Sequence, residues 1–237
     1  MADKNTILDL RKGIILDLKK DKGMSTQKAT TVAVFDRSGS LNWAYSNGTM
    51  QSLVERLLPM GLSFDDNGVT DLFIFHNDAW RSKVDISLGT VNQVIPEITK
   101  HSSGGTNYAP AIKLILDEYI GPEKKGFMFA KGGRTFKKLP YPVFVMYFTD
   151  GENGDRTETE QLIQEAAKYG IFFQFIGIGN ASMPFLEKLD TLNTVIDSVG
   201  FFRAQDLDRM SDTELYNNLL SEFFKYIPKA RALGYFN

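Results

Sequence analysis

The chain has 237 residues, of which 43% are hydrophobic and 24% charged, and its formal net charge is −2 at pH 7. These values suit one soluble globular domain, and the charge balance gives no sign of binding to nucleic acid or to an anionic membrane. The absence of cysteine excludes disulfides, thiolate metal sites and cysteine nucleophiles. There is no signal-like N-terminus and no apolar run of ~20 residues, so we predict a cytoplasmic protein without membrane insertion.

Two segments stand apart from the regular pattern. Residues 1–29 are predicted to form a lead-in segment packed on a single domain of residues 30–237. Apolar residues at helical spacing favour an amphipathic helix there, but short apolar runs around Gly13 also suit strands, so both interpretations stay open. Residues 120–141 are rich in lysine, arginine and glycine. We interpret them as a flexible, solvated connection.

From residue 30 onward, strand patterns alternate with helical patterns. The predicted strands are 31–36, 71–75, a short edge strand within 79–86, 142–149, 171–178 and 194–199. The predicted helices are 48–62, 90–99, 108–119, one from 157, 183–190 and one from 211. Pro59 should kink or split its helix, and Asn107 or Thr106 should cap the helix at 108–119. The alternation predicts an α/β fold, doubly wound, with a mostly parallel central sheet, helices on both faces and one short antiparallel edge strand.

The most informative motif is Asp36-x-Ser38-x-Ser40, which follows the apolar run Val32–Phe35. A strand that ends there places one carboxylate and two hydroxyls on a single short loop. Parallel sheets usually bind their ligands beyond the carboxyl ends of the strands. Carboxylates and hydroxyls are oxygen ligands, which suit a hard divalent cation.

Two later segments complete a ligand set. Gly104-Gly105-Thr106 is a tight turn that offers a third hydroxyl, and the apolar run 143–149 ends at Asp150. In chain order, the candidate metal ligands are therefore Asp36, Ser38, Ser40, Thr106 and Asp150. This order resembles the metal-ion-dependent adhesion site of von Willebrand factor type A domains.

Further motifs extend the resemblance beyond the candidate ligands. They are Tyr45-x-x-Gly48, Thr149-Asp150-Gly151-Glu152-Asn153, the segment 172–179 and Asp212-x-Glu214-Leu215-Tyr216. Over roughly residues 30–235, the chain resembles the von Willebrand A domains of bacterial tellurium-resistance (Ter) and stress-response proteins. The resemblance does not clearly cover 1–29 and covers 120–141 only in part.

The resemblance implies a non-enzymatic protein-interaction module. Its cofactor would be Mg²⁺, with Ca²⁺ or Mn²⁺ as alternatives, and its partner would be a protein that presents an Asp or Glu to the metal. Other tellurium-resistance proteins are candidate partners, within a stress-response assembly. No catalytic residue is implied.

Two other functions stay open. The segment from Asp36 to Ser40 also resembles the D-x-D-G-T signature of haloacid-dehalogenase phosphatases, with Asp36 as the nucleophile of a magnesium-dependent reaction. Those enzymes need a second Asp as general acid, and Ser38 occupies that position here. The chain could also be a scaffold with a vestigial metal site.

The remaining polar residues near these motifs are given structural interpretations. Asp65–Gly68 lacks the spacing of an EF-hand loop and is predicted to be a turn. Glu152 and Asp155 are interpreted as solvated loop acids. His76 and His101 lack a metal-ligand spacing and are expected to have surface or structural roles.

Overall fold

The computed structural model describes residues 3–124, 133–151 and 153–237. Within these residues six strands form one sheet in the order β3-β2-β1-β4-β5-β6. The strands are β1 (Thr30–Asp36), β2 (Thr70–Phe75), β3 (Ala79–Arg81), β4 (Val143–Thr149), β5 (Ile171–Ile178) and β6 (Val199–Ala204). All neighbouring pairs are parallel except β2 and β3. The predicted sheet, mostly parallel with one antiparallel edge strand, is confirmed.

Helices cover both faces of this sheet. In the described part of the chain they are α1 (Lys4–Asp21), α2 (Asn42–Ser46), α3 (Thr49–Phe64), α4 (Val91–Thr99), α5 (Ala109–Tyr119), α6 (Arg156–Ala166), α7 (Pro184–Asp190) and α8 (Asp212–Ala232). Every side chain from Val32 to Asp36 is buried, so β1 is covered on both faces. None of the described helices is both long enough and apolar enough to cross a membrane.

The chain reverses its direction of growth across the sheet between β1 and β4. β1 pairs with β2 on one side and with β4 on the other. At such a switch point, the loops that leave the two strands separate and open a crevice at the carboxyl ends. β1 ends at Asp36 and β4 ends at Thr149, so the two predicted acidic segments leave the sheet side by side.

The N-terminal segment is a single helix, which settles the choice between helix and strands. Asp3 caps α1, since its carboxylate accepts hydrogen bonds from the amides of Asn5 at 2.8 Å and Thr6 at 3.0 Å. Ile15 is fully buried, and the Lys19 ammonium donates to the Ser63 carbonyl at 2.7 Å. The segment therefore packs on the domain, while the boundary at residue 29 stays a prediction.

The prediction that Pro59 kinks or splits its helix is wrong as to the split, while the kink stays a prediction. α3 is continuous from Thr49 to Phe64. A proline at position 59 removes the amide that would bond to the Glu55 carbonyl, four residues earlier. That carbonyl accepts instead from the Arg11 guanidinium of α1, at 3.5 Å. A side chain from another helix takes over the acceptor, which the local sequence does not reveal.

The last strand lies later in the chain than the predicted 194–199. β6 spans Val199–Ala204. Val195 is 64% exposed, and the Thr194 hydroxyl donates to the Ile196 carbonyl at 2.6 Å, as in a turn. Since β6 pairs in parallel with β5, its start is set by the alignment of Val199 with Phe173 rather than by the β-branched run before it.

The basic segment 120–141 is anchored at one flank. The Arg134 side chain is 1% exposed and forms ion pairs with Asp117 at 2.5 Å and Glu165 at 2.8 Å. It also donates to the Gly121 carbonyl at 2.9 Å. Arg134 is therefore structural, and the predicted solvated character of 125–132 lies outside the described residues.

Candidate metal centre

Asp36 is fully buried at the end of β1, and its carboxylate is held on both sides. Oδ1 accepts from the backbone amide of Ser38 at 2.6 Å, and Oδ2 accepts from the Thr149 hydroxyl at 2.6 Å. The Tyr45 hydroxyl donates to the backbone carbonyl of Asp36, also at 2.6 Å. Asp36 therefore shapes the loop after β1 in addition to supplying negative charge.

The two serines and Asp150 form a continuous oxygen-rich group above Asp36. The hydroxyls of Ser38 and Ser40 lie 3.1 Å apart, and Ser40 donates to Asp150 Oδ1 at 2.8 Å. Ser38 is 2% exposed, whereas Ser40 is exposed. The group thus extends from a buried floor to the protein surface.

The two carboxylates of the centre repel each other. The pKa of Asp36 is raised to about 6, first by burial and then by the charge of Asp150, against the hydrogen bonds from Thr149 and Ser38. Burial also raises the pKa of Asp150. The main causes of the two shifts are burial, hydrogen bonds and, for Asp36, the charge of Asp150. A divalent cation at this position would relieve the repulsion.

Thr106 lies in a loop that runs beside the one after β1. Ser38 and Gly104 form a parallel bridge between the two loops. The Thr106 carbonyl accepts from the amide of Gly154 at 2.9 Å, which joins this loop to the chain after Asp150. The three predicted segments therefore meet. None of the described hydrogen bonds joins the Thr106 hydroxyl to Ser38, Ser40 or Asp150.

Close packing favours glycine at Gly104, where a ring lies near, whereas at Gly105 the near atom is the end of an exposed side chain. A Cβ atom at Gly104 would lie 2.9 Å from the His76 ring, and one at Gly105 would lie 2.6 Å from the side-chain oxygen of Asn77. The His76 ring in turn packs against Trp80 at 4.7 Å, and Trp80 against His101 at 4.4 Å. The two histidines thus have the structural role that was predicted.

The interpretation of Asp155 as a solvated loop acid is wrong. Its carboxylate accepts from the backbone amides of Tyr108 at 3.0 Å and Ala109 at 2.7 Å. These amides lie at the start of α5, so Asp155 caps that helix from another part of the chain. The expected cap by Asn107 or Thr106 is also wrong, because Tyr108 occupies the position directly before the helix.

Sequence analysis missed two residues that hold the site. Thr149 supports the Asp36 carboxylate and Tyr45 supports its carbonyl. Both belong to motifs that the resemblance singled out. The usable signal for Thr149 is its place at the end of the strand next to β1, immediately before Asp150. Glu152 lies outside the described residues.

The donor set fits a hard divalent cation. In the described ranges, no three His, Cys, Asp or Glu side chains gather as a metal site, so this centre has two carboxylates and depends on hydroxyls. Two carboxylates balance the charge of a dication, and serine hydroxyls are neutral oxygen ligands.

The Asp65–Gly68 segment is a turn, as predicted, with Gly68 at φ +69° and the Asn67 amide bonded to Asp65 at 3.2 Å.

The sheet order is that of a von Willebrand factor type A domain. Residues 28–236 match the vWA-TerF-like family, described as the vWA found in the TerF C terminus, and the chain belongs to this family. It is 32% identical over 232 residues to "Uncharacterized protein YcbR" of Bacillus subtilis (strain 168), covering 96% of this chain and 89% of YcbR.

Solved structures show the same fold. Proximal thread matrix protein 1 from the mussel byssus is 15% identical with a TM-score of 0.53, covering 81% of this chain and 47% of the mussel chain. Its second crystal form is 16% identical with a TM-score of 0.51, covering 81% and 48%. The chain thus spans about half the length of the mussel protein, and at this identity the likeness shows the fold alone.

Proposed function

We propose that this chain is a metal-dependent protein-interaction module without enzymatic activity. The observation that carries the proposal is the oxygen group of Ser38, Ser40 and Asp150 above the buried Asp36, at the switch point of the sheet. Mg²⁺ suits this set best, because it prefers oxygen ligands and keeps some of its waters, with Ca²⁺ and Mn²⁺ as alternatives. When bound, the cation supplies a coordination position for an outside carboxylate.

The burial of each residue indicates whether it would contact the cation or support it from below. Ser40 and Asp150 lie at the open side and would contact the cation together with Ser38. Asp36 uses both oxygens in hydrogen bonds, so it orients Ser38 and supplies charge from below. Thr106 would add its hydroxyl from the neighbouring loop.

Charge balance favours an acidic partner. The two carboxylates, Asp36 and Asp150, neutralise a dication without giving the centre an excess negative charge. An Asp or Glu of a partner protein can therefore still bind at the open side. Since the family is named for the C terminus of TerF, we propose that the partners are other tellurium-resistance proteins in a stress-response assembly.

The phosphatase alternative lacks its general acid. Ser38 occupies the position of the second Asp, is 2% exposed and lies against the Ser40 hydroxyl. A serine hydroxyl does not have the pKa of a general acid. Magnesium-dependent hydrolysis of p-nitrophenyl phosphate that disappears in Asp36→Ala would support the enzyme instead.

Thermal and urea unfolding of the wild type and of Asp36→Ala, in EDTA and across Mg²⁺, Mn²⁺ and Ca²⁺ concentrations, tests the metal site. A ligand that binds only the folded state stabilises it by about 2.7 kcal/mol at a hundredfold excess over Kd. We expect this gain in the wild type and in the control Asp78→Ala, an exposed acid near the same loops, but not in Asp36→Ala.

A scaffold with a vestigial site would show no metal-dependent gain in any of the three proteins. An equal gain in Asp36→Ala would contradict the assigned residues. Binding to purified tellurium-resistance proteins tests the interaction itself. It should require magnesium and should be lost in Asp36→Ala.

A further inference from the structure

A second acidic group lies at the opposite end of the sheet from Asp36. It consists of Glu222 on α8, Asp190 at the end of α7 and Asp197 just before β6. The Asp190 carboxylate lies near the backbone amide of Phe201 on β6, which lowers its pKa against the effect of burial. Three carboxylates from three segments therefore meet near the start of this edge strand.

A buried amide oxygen points into the same place. Gln174 of β5 pairs with Gly200 of β6 and is 1% exposed. Its Nε2 donates to the Phe175 carbonyl at 3.5 Å, but its Oε1 is buried and has no hydrogen-bond partner among the described residues. A buried acceptor without a partner is costly, so an unpaired one calls for an explanation.

The position of Gly200 shows that Gln174 and Glu222 face the same space. A Cβ atom added to Gly200 would lie 2.6 Å from Gln174 Oε1 and 2.5 Å from Glu222 Oε2. Both oxygens thus converge over the one residue of β6 that has no side chain. No described hydrogen bond joins these two acceptors, and a positive group between them would interact with both.

The group carries negative charge that is only partly balanced. Burial raises the pKa of Glu222, and the charges of Asp190 and Asp197 raise it further, whereas Lys225 opposes the shift. Burial likewise raises the pKa of Asp190, and Asp197 adds to it. Asp190 and Asp197 also line an open cleft of about 360 Å³, so these two carboxylates are accessible to ions from solvent.

We propose that Glu222 and the Gln174 side-chain oxygen are direct ligands of a second divalent-cation site, with Asp190 and Asp197 supplying charge. The preferred ion is Ca²⁺, because calcium accepts amide and carboxylate oxygens in flexible geometries and completes its shell with water. The three carboxylates alone do not form a metal cage, so the amide oxygen is the decisive contact. The bound ion links α8 to the edge of the sheet.

Calcium titration of the full chain by isothermal calorimetry tests this site. The Asp36→Asn variant removes the first centre, so any remaining calcium heat belongs to the second one. We expect one calcium site in Asp36→Asn and its loss in both Asp36→Asn/Glu222→Gln and Asp36→Asn/Gln174→Met. The control Asp36→Asn/Glu214→Gln makes the same chemical change at an exposed position of α8 and should keep the site.

Folding is checked independently of calcium by circular dichroism and urea unfolding in EDTA. If folded Asp36→Asn binds no calcium, the second site is overturned, and the Gln174 amide nitrogen donates to Glu222 instead. Calcium binding that survives Glu222→Gln also overturns the site. The proposed metal site at Asp36 would be refuted by a different result, in which the wild type binds no more metal than Asp36→Asn.

Discussion

At the scale of single residues, the candidate metal centre depends on a buried residue, Thr149, that is not itself a candidate ligand. Asp36 is fully buried, and its two oxygens are fixed by a backbone amide and by Thr149. Thr149 is itself fully buried at the end of β4. The orientation of the first candidate ligand is therefore set by the neighbouring strand.

Thr149→Val should destabilise the protein and weaken its metal binding. The change keeps the shape and the strand preference but leaves a buried carboxylate oxygen without its donor, at a cost of about 1–3 kcal/mol. Urea unfolding in EDTA measures the loss. Thr30→Val, at the partly exposed start of β1, serves as the control and should change stability by less than about 0.5 kcal/mol. Equal effects at both positions would contradict the supporting role of Thr149.

In EDTA, the stability of the wild type relative to Asp36→Asn should depend on pH. The folded pKa of Asp36, about 6, lies above its ordinary value of 3.8, so the folded state holds the proton more tightly. The unfolding free energy of the wild type relative to Asp36→Asn should therefore fall by about 3 kcal/mol as pH rises between these values. Above about pH 6 it should level off. Urea unfolding of both proteins from pH 4 to 8 measures the difference. A constant difference would show that Asp36 does not titrate in this window.

At the scale of elements, the Thr106 loop is positioned by a helix whose start is capped from elsewhere. α5 begins two residues after the loop's Asn107, and its first amides bond to Asp155. Asp155 lies just before α6 and after the candidate ligand Asp150. The cap thus connects the loop of Thr106 to the segment that carries Asp150.

Asp155→Ala should destabilise the protein by about 1–2 kcal/mol, because the helix loses its N-terminal acceptor. It should also weaken magnesium binding, although Asp155 is not a candidate ligand. Asp155→Asn keeps one acceptor oxygen and should lose less of both. Urea unfolding and magnesium-dependent thermal shifts measure the two effects. The coupling of cap and metal site would be refuted by Asp155→Ala with normal magnesium affinity.

At the scale of the whole molecule, one carboxylate joins the N-terminal helix to the domain. Asp212 at the start of α8 pairs with Arg11 of α1 at 2.7 Å and with Arg56 of α3 at 2.6 Å. Arg56 is 4% exposed and also donates to the carbonyls of Leu207 at 2.9 Å and Met210 at 2.7 Å. Three helices distant in sequence therefore share one partly buried ion-pair network.

Asp212→Ala should cost about 1–3 kcal/mol, because the buried Arg56 guanidinium loses its carboxylate but keeps the carbonyls of Leu207 and Met210 as acceptors. Hydrogen exchange should increase across α1, which loses its contact through Arg11. Lys4→Ala removes an exposed ion pair with Glu55 and should cost less than about 1 kcal/mol. Similar losses in the two variants would mean that α1 is not held by this network.

Sequence reasoning located most of the fold because the signals are local. The apolar runs of β1, β4 and β5 are buried on both faces, and such runs are readable without tertiary information. The start of α8 near residue 211 is likewise confirmed, since Ser211 caps the helix and its hydroxyl accepts from the Glu214 amide at 3.2 Å. The errors fall where a distant group decides, as at Pro59 and at β6.

The sequence by itself determined the α/β class, the order of the strands along the chain and the candidate ligand set from Asp36 to Asp150. Only the tertiary structure decided that Thr149 holds Asp36, that Asp155 caps α5 and that Gln174 faces Glu222. The physical reason is distance along the chain. Periodicity and motifs report on neighbours in sequence, whereas buried polar atoms take their partners from whichever segment packing brings near.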